Sequence, residues 1–257
     1  MAETEHQWGS REYAQAWVSK DDRRAAEREA QFSAAITWLS VFLEGRSKVM
    51  DLGSGHGIFS EKLLVAFPEM SVICLDGSEE MLKLAQERLA SFGTRVSFIQ
   101  SDFADERWVA GLPRELDAVV SARAIHNLRK LKPIERVHRE IRELLRPGGL
   151  FLNIERVNFS TPSLRRYYRE LQMRTRGRTA KMDGPAPSLL QQLRLLKRAG
   201  FKNIDCFWRE SNTAIVGGFK STEKIFTTKD TKSTKRTRDR PVGATGRSPL
   251  RARGAKR

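Results

Sequence analysis

This sequence predicts an open α/β domain, a mostly parallel sheet with helices on both faces. Three observations carry that expectation. Short apolar runs alternate with helix-length segments up to about residue 156. The first run passes straight into a glycine-rich turn, Gly53-Ser-Gly-His-Gly57, and then into a helix. Acids stand at the ends of three successive runs, at Asp51, Asp76 and Asp102. Strands alternating with helices over short connections form parallel sheets with right-handed crossovers, and ligands sit beyond the carboxyl ends of such strands.

Residues 10–44 read as helix, broken near Ser19-Lys-Asp-Asp22, where Asp21 or Asp22 can cap the second piece. The first strand covers about 48–53, and a helix over 57–67 ends before Pro68. The run 71–76 is short and apolar, as a strand buried on both faces should be. Ser78 caps a helix that reaches about Ser91, with Glu79 and Glu80 near its start and Gly93 as its stop. Residues 95–102 and 116–122 are the third and fourth strands. Pro133 opens a helix to Arg146 that Pro147-Gly-Gly149 ends, and 150–155 is the fifth strand. Helices over 162–175 and 187–199 flank the loop 181–187. The runs 201–209 and 212–219 are joined at Glu210-Ser211, short enough for an antiparallel hairpin.

The chain divides into a helical cap (1–46), the α/β domain (47–222) with a helical, substrate-covering insertion at 157–199, and a tail (223–257). The net charge of +16 is unevenly spread: from Lys220 onward the balance is +10. That segment is rich in Lys, Thr, Ser and Arg and nearly free of large apolar residues, so it is expected to be disordered. It could touch nucleic acid without specificity or be a solvated extension. No apolar run is long enough to span a membrane. The acidic, polar opening is not that of a secretory signal, and Cys74 and Cys206 sit apart in apolar contexts. A reducing, cytoplasmic setting is expected, with no metal site.

Glycines 53, 55 and 57 are expected to let a ligand lie against the backbone. Asp51 selects the ligand. A carboxylate there repels a pyrophosphate and attracts a cation, by roughly 4 kcal/mol at about 4 Å and an effective dielectric near 20. A dinucleotide fingerprint also needs its third glycine one residue later than Gly57, where this chain has Ile58. The pocket should therefore prefer a ligand bearing an ammonium or sulfonium group.

Read together and in order, Asp51-Leu-Gly-Ser-Gly-His-Gly57, Leu75-Asp-Gly-Ser-Glu-Glu-Met81, Gln100-Ser-Asp-Phe103, Asp117-Ala-Val-Val-Ser121 with Ala124-Ile-His-Asn-Leu128, and Leu145-Arg-Pro-Gly-Gly-Leu150 resemble the class I S-adenosylmethionine-dependent methyltransferases, small-molecule type. The resemblance covers about 47–220. It implies a doubly wound Rossmann-like sheet of seven strands, the last antiparallel, with S-adenosylmethionine as cofactor. It implies that Asp51 meets the methionine ammonium, that Gly53, Ser54, Gly55 and Gly57 pass the methionyl-ribose part, and that Asp76, before Gly77, takes the ribose hydroxyls. Met81 and Phe103 would flank adenine, Asp102 would accept from its amino group, and Ser121 with Ala122 would offer carbonyls to the ammonium. Asp102 could equally cap a helix over 103–110, and Met81 could be plain core.

Methyl transfer from a sulfonium is an in-line displacement, so alignment and exclusion of water can carry it. His126 is a candidate base or a loop-packing residue. Arg123 can clamp an acidic substrate or face solvent. Tyr13 and Trp17 on the first helix, and Tyr167 and Tyr168 in the insertion, are candidates to cover the pocket. The expected acceptor is a small molecule. The alternative is RNA or protein, aided by the basic tail, although no Asn-Pro-Pro-Tyr, Asp-Pro-Pro-Tyr or Pro-Cys motif follows the fourth strand.

Overall fold

The computed structural model describes residues 10–22, 25–176 and 186–222. The tail at 223–257, most of the loop 181–187 and the side chain of Trp17 lie outside them.

Two helices, α1 (Arg11–Asp22) and α2 (Ala25–Phe42), precede β1 (Lys48–Leu52). Then come α3 (Ile58–Ala66), β2 (Ser71–Asp76), α4 (Glu79–Leu89), β3 (Val96–Gln100) and β4 (Leu116–Ala122). The chain continues through α5 (Leu131–Leu144), β5 (Leu145–Arg156), α6 (Pro162–Arg176), α7 (Leu189–Arg198), β6 (Lys202–Glu210) and β7 (Thr213–Phe219). The seven strands form one sheet in the order β3-β2-β1-β4-β5-β7-β6. The pairs among β1 to β5 are parallel, whereas β7 runs antiparallel to both β5 and β6. The expected doubly wound sheet and closing hairpin are both present. The chain order reverses between β1 and β4, which makes that edge the place for a ligand.

Local chemistry accounts for the helix starts. Ser78 Oγ accepts from the Met81 amide, and Ser188 forms a reciprocal cap with Gln191 at the start of α7. On one face of the sheet Phe151, Phe201, Ile141 and Leu196 form the core with α5 and α7. Each large side chain so buried contributes about 1.5–3 kcal/mol. On α2, Phe32 stacks on Phe59 at 4.8 Å, Trp38 Nε1 donates to the Phe207 carbonyl at 3.0 Å, and Phe42 meets Phe219 edge-on at 4.9 Å. The N-terminal helix is thereby fixed across the β7–β6 side of the sheet.

Some boundaries differ from expectation. Helix α5 starts at Leu131 and carries Pro133 in its first turn, where no amide hydrogen is needed. It ends at Leu144, and Pro147-Gly148-Gly149 belong to a bulged start of β5. A Cβ on Gly149 would stand 2.9 Å from the Arg146 carbonyl and 3.0 Å from that of Leu116, so the glycine permits strand contact rather than stopping a helix. Residues 103–111 form turns, not a helix. Helix α7, within the 157–199 insertion, packs on α5 and β6 and buries Leu195 and Leu196.

Candidate functional site

A cleft lies at the carboxyl ends of β1, β4 and β5. Asp51, Gly53, Ser54 and Gly55 line it, with Arg28 and Gln31 from α2, Arg123 after β4 and Ile154 from β5.

Asp51 is 1% exposed. Its Oδ2 accepts from Ser60 Oγ at 2.7 Å, whereas its Oδ1 is buried without a hydrogen-bond partner. Burial pushes this carboxyl up to about 7; the Ser60 hydrogen bond opposes the shift and repulsion from Asp76 adds to it. Asp76 in turn holds the glycine turn. Its Oδ2 accepts from the Gly55 amide at 2.8 Å, and its Oδ1 accepts from the Ser78 amide at 2.9 Å. Burial raises the Asp76 carboxyl too, against those two amides, with a smaller push from Asp102. Asp102 is exposed, and its Oδ1 accepts from Ala104 at 2.8 Å. Gly77 brings these two acids close, since a Cβ on it would lie 3.2 Å from the Asp102 Cβ. The three carboxylates share one rim and repel one another.

The glycines divide their work. Gly53, Gly55 and Gly57 all have left-handed backbone, with φ of 70°, 55° and 81°. A Cβ on Gly53 would strike the Ala124 Cβ at 2.2 Å, and one on Gly57 would meet Leu89 and Ala85 at 3.0 and 3.2 Å. Only Gly55 of the three faces open space. The missing side chains of Gly53 and Gly57 thus also make room for neighbouring side chains of the protein itself, while Gly53 still lines the cleft.

Other expected residues lie behind the cleft. Met81 is buried at the start of α4. Phe103 is 9% exposed and belongs to the core near Gly53 and Ala124. Ser121 donates to the Leu52 carbonyl at 2.8 Å, tying β4 to β1, while its neighbour Ala122 reaches the cleft. Cys74 is buried, and burial with the Asp51 charge pushes its thiol up to about 12, so it is inert packing. Tyr168 stacks on Phe159 at 4.5 Å beneath Arg209, and Tyr13 is not part of the cleft wall.

His126 is also absent from the cleft wall. Its Nδ1 stands 2.7 Å from Glu155 Oε1, off the line of a good hydrogen bond, while its backbone amide donates to Glu155 Oε2 at 3.0 Å. Glu155 is fully buried and also accepts from the Arg156 amide at 2.7 Å. Burial alone would raise its carboxyl, but the His126 charge and these donors outweigh burial and hold it below the usual range. The ion therefore stabilises the fold above the unfolded value near 4.3, and that contribution is lost as pH falls through the lower folded value. Glu155→Gln turns an amide NH₂ toward these donors. We expect a loss of about 2 kcal/mol at pH 7, read as a lower urea midpoint.

Sequence reasoning missed Arg28, Gln31 and Glu155. The signal for the first two was present: Arg28, Gln31, Phe32, Ala35 and Leu39 recur at helical spacing on the buried stripe of α2, and its polar end marks where the helix crosses the cleft.

Comparisons with known proteins agree with this geometry. Residues 49–149 match a family described as a methyltransferase domain. The chain is 30% identical over 199 residues to a carboxy-S-adenosyl-L-methionine synthase of Nautilia profundicola, covering 72% of this chain and 82% of the relative. It is 32% identical over 106 residues to a malonyl-[acyl-carrier protein] O-methyltransferase of Halalkalibacterium halodurans, covering 40% of this chain and 37% of that one. Among solved structures, an O-methyltransferase family protein from Burkholderia thailandensis superposes with a TM-score of 0.62 at 19% identity, over 80% of this chain and 60% of that one. Human N-acetylserotonin methyltransferase in complex with S-adenosylmethionine gives 0.60 at 20% identity, over 83% and 57%. Those two chains are longer than this one and show the shared fold alone. With a seven-stranded sheet of this order, an acid-rimmed cleft at its switch point, and a relative matched over most of its length, the chain belongs to the class I S-adenosylmethionine-dependent methyltransferases.

Proposed function

We propose that this enzyme methylates a small-molecule acceptor at the cleft beside β1 and β4. The observation that carries the placement is the buried Asp51 Oδ1, an acceptor without a protein donor on the wall of an open cleft. It fits an ammonium group. The open side of Gly55 fits close approach of a ligand to backbone, and the Asp76 carboxylate, already aligned by two amides, keeps lone pairs for further donors.

When bound, S-adenosylmethionine supplies an electrophilic methyl group on a sulfonium. Asp51 would hold the ammonium end and Asp76 with Gly55 the ribose end, leaving adenine on the side of Asp102. An acceptor lone pair aligned with that carbon would take the methyl group as the S–C electrons return to sulfur, and a proton carried by the acceptor would be released with the product. Phe32, Phe59 and Ile154 make the cleft wall apolar, which excludes water and strengthens the charge contacts. His126, held on Glu155, positions the turn after β4 rather than taking a proton. His126→Gln should therefore change kcat by less than about tenfold, against the 10²–10⁴ that loss of a general base costs.

Calorimetry tests the placement. Wild type should bind S-adenosylmethionine and S-adenosylhomocysteine and not NAD. A screen of metabolites for release of S-adenosylhomocysteine, with mass spectrometry of products, then tests the acceptor class. Turnover with RNA or protein alone would overturn the small-molecule assignment. NAD binding without S-adenosylmethionine binding would overturn the site itself.

A further inference from the structure

The cleft carries two guanidinium groups beside its acidic end, and the cofactor accounts for one. Arg28 enters from α2 and is 6% exposed; Arg123 enters from the turn after β4 and is partly exposed. They sit close enough to oppose each other: burial and then the Arg123 charge pull Arg28 down to about 9. Two guanidinium groups facing one cleft favour the entry of anions.

Arg123 also has strained backbone. Its φ is 60°, a conformation that costs a non-glycine residue about 1–2 kcal/mol, and it is locked by donation from its amide to the Ile154 carbonyl at 2.8 Å. A glycine would meet that backbone demand without strain. Strain retained at a cleft points to a side chain that a ligand uses.

The charges can now be matched. The methionyl end of S-adenosylmethionine has one ammonium and one carboxylate. Asp51 serves the ammonium and one arginine serves the carboxylate. We propose that Arg28, the buried one, takes the cofactor's carboxylate, and that Arg123, at the open side, holds an oxyanion on the acceptor, so that the acceptor is a small carboxylate or phosphate. A guanidinium pairs with either through two parallel hydrogen bonds. This rests on the cleft being the cofactor site, as proposed above.

The test uses the whole chain saturated with S-adenosylhomocysteine, titrated calorimetrically with three ring compounds of similar size: benzoate, phenyl phosphate and neutral benzamide. At least one anion should bind about tenfold or more tightly than benzamide, the effect of roughly 1.4 kcal/mol. Whichever anion binds better decides between carboxylate and phosphate. Arg123→Gln should lose that preference while S-adenosylhomocysteine affinity stays within about twofold, Arg123→Lys should recover part of it, and Arg28→Gln should weaken S-adenosylhomocysteine by about tenfold or more. The division of labour is overturned if benzamide binds as well as the anions, if none of the three binds, or if Arg123→Gln weakens S-adenosylhomocysteine as Arg28→Gln does. Failure of the wild type to bind S-adenosylhomocysteine at all overturns the cofactor site as well, and is told apart because it appears before any anion is added.

Discussion

Asp51→Asn should stabilise the cofactor-free protein at pH 8 and nearly abolish cofactor binding. The folded carboxyl is raised to about 7, chiefly by burial, with Asp76 adding to the shift; the unfolded value is about 3.9. The sign follows. Below the unfolded value both states are protonated and there is no penalty. As pH rises from there the native state holds the extra proton, so stability falls until about 7, and above that the penalty is complete. At about 1.4 kcal/mol per pH unit the ceiling is near 4 kcal/mol, and relaxation leaves an expected gain of about 1–3 kcal/mol for the variant at pH 8, less at pH 5. Urea melts at the two pH values measure it. Removing the only charge proposed for the ammonium should weaken S-adenosylmethionine by about 100-fold. Binding should also release a proton near neutrality, seen as a buffer-dependent heat. Equal gains at pH 5 and pH 8 would show that Asp51 does not titrate as a buried acid.

Gly53→Ala and Gly55→Ala should part company. The first puts a methyl 2.2 Å from the Ala124 Cβ, on backbone with φ 70°. Overpacking and left-handed strain together should cost about 3–4 kcal/mol of stability. Adding Ala124→Gly should recover most of the overpacking, leaving the backbone strain. Gly55→Ala adds a methyl into open space at φ 55°, so the fold should lose only about 1 kcal/mol. Cofactor affinity should fall by about tenfold or more in that variant, because the methyl occupies the ligand's side of the turn. Chemical melts and calorimetry on the same samples separate the two. A Gly53→Ala protein that melts like wild type contradicts the packing shown here.

The sheet was largely legible because each strand declares itself locally. Residues 72–75 are apolar without a break, as burial on both faces requires, and Glu210-Ser211 leaves too little chain for anything but a hairpin. The acids at 51 and 76 were legible for a related reason: a carboxylate at the end of a buried strand serves stability poorly. What stayed hidden depends on distant partners. The pattern of Gly53 and Gly57 shows that the backbone turns left-handed, but Ala124 and Leu89 decide what fills the missing side chain's place. Glu155 read as one more strand residue until the turn carrying His126 was seen to fold onto it. Pro147-Gly148-Gly149 carries every sign of a helix stop, yet the pairing of Gly149 against Leu116 makes it strand. His126 is a candidate base by residue type, and its contacts with Glu155 are visible only in the fold.

The antiparallel course of β7 has a practical consequence. Because β7 descends beside β5, Lys220 exchanges backbone hydrogen bonds with Gly148 and Gly149, where β5 begins. The described chain therefore leaves the sheet at its floor, one strand length, about 20 Å, from the mouth of the cleft. A fluorophore or affinity handle joined after Thr222 starts from that floor. Immobilising the truncated enzyme through it would leave the mouth facing solution, ready for acceptor screening.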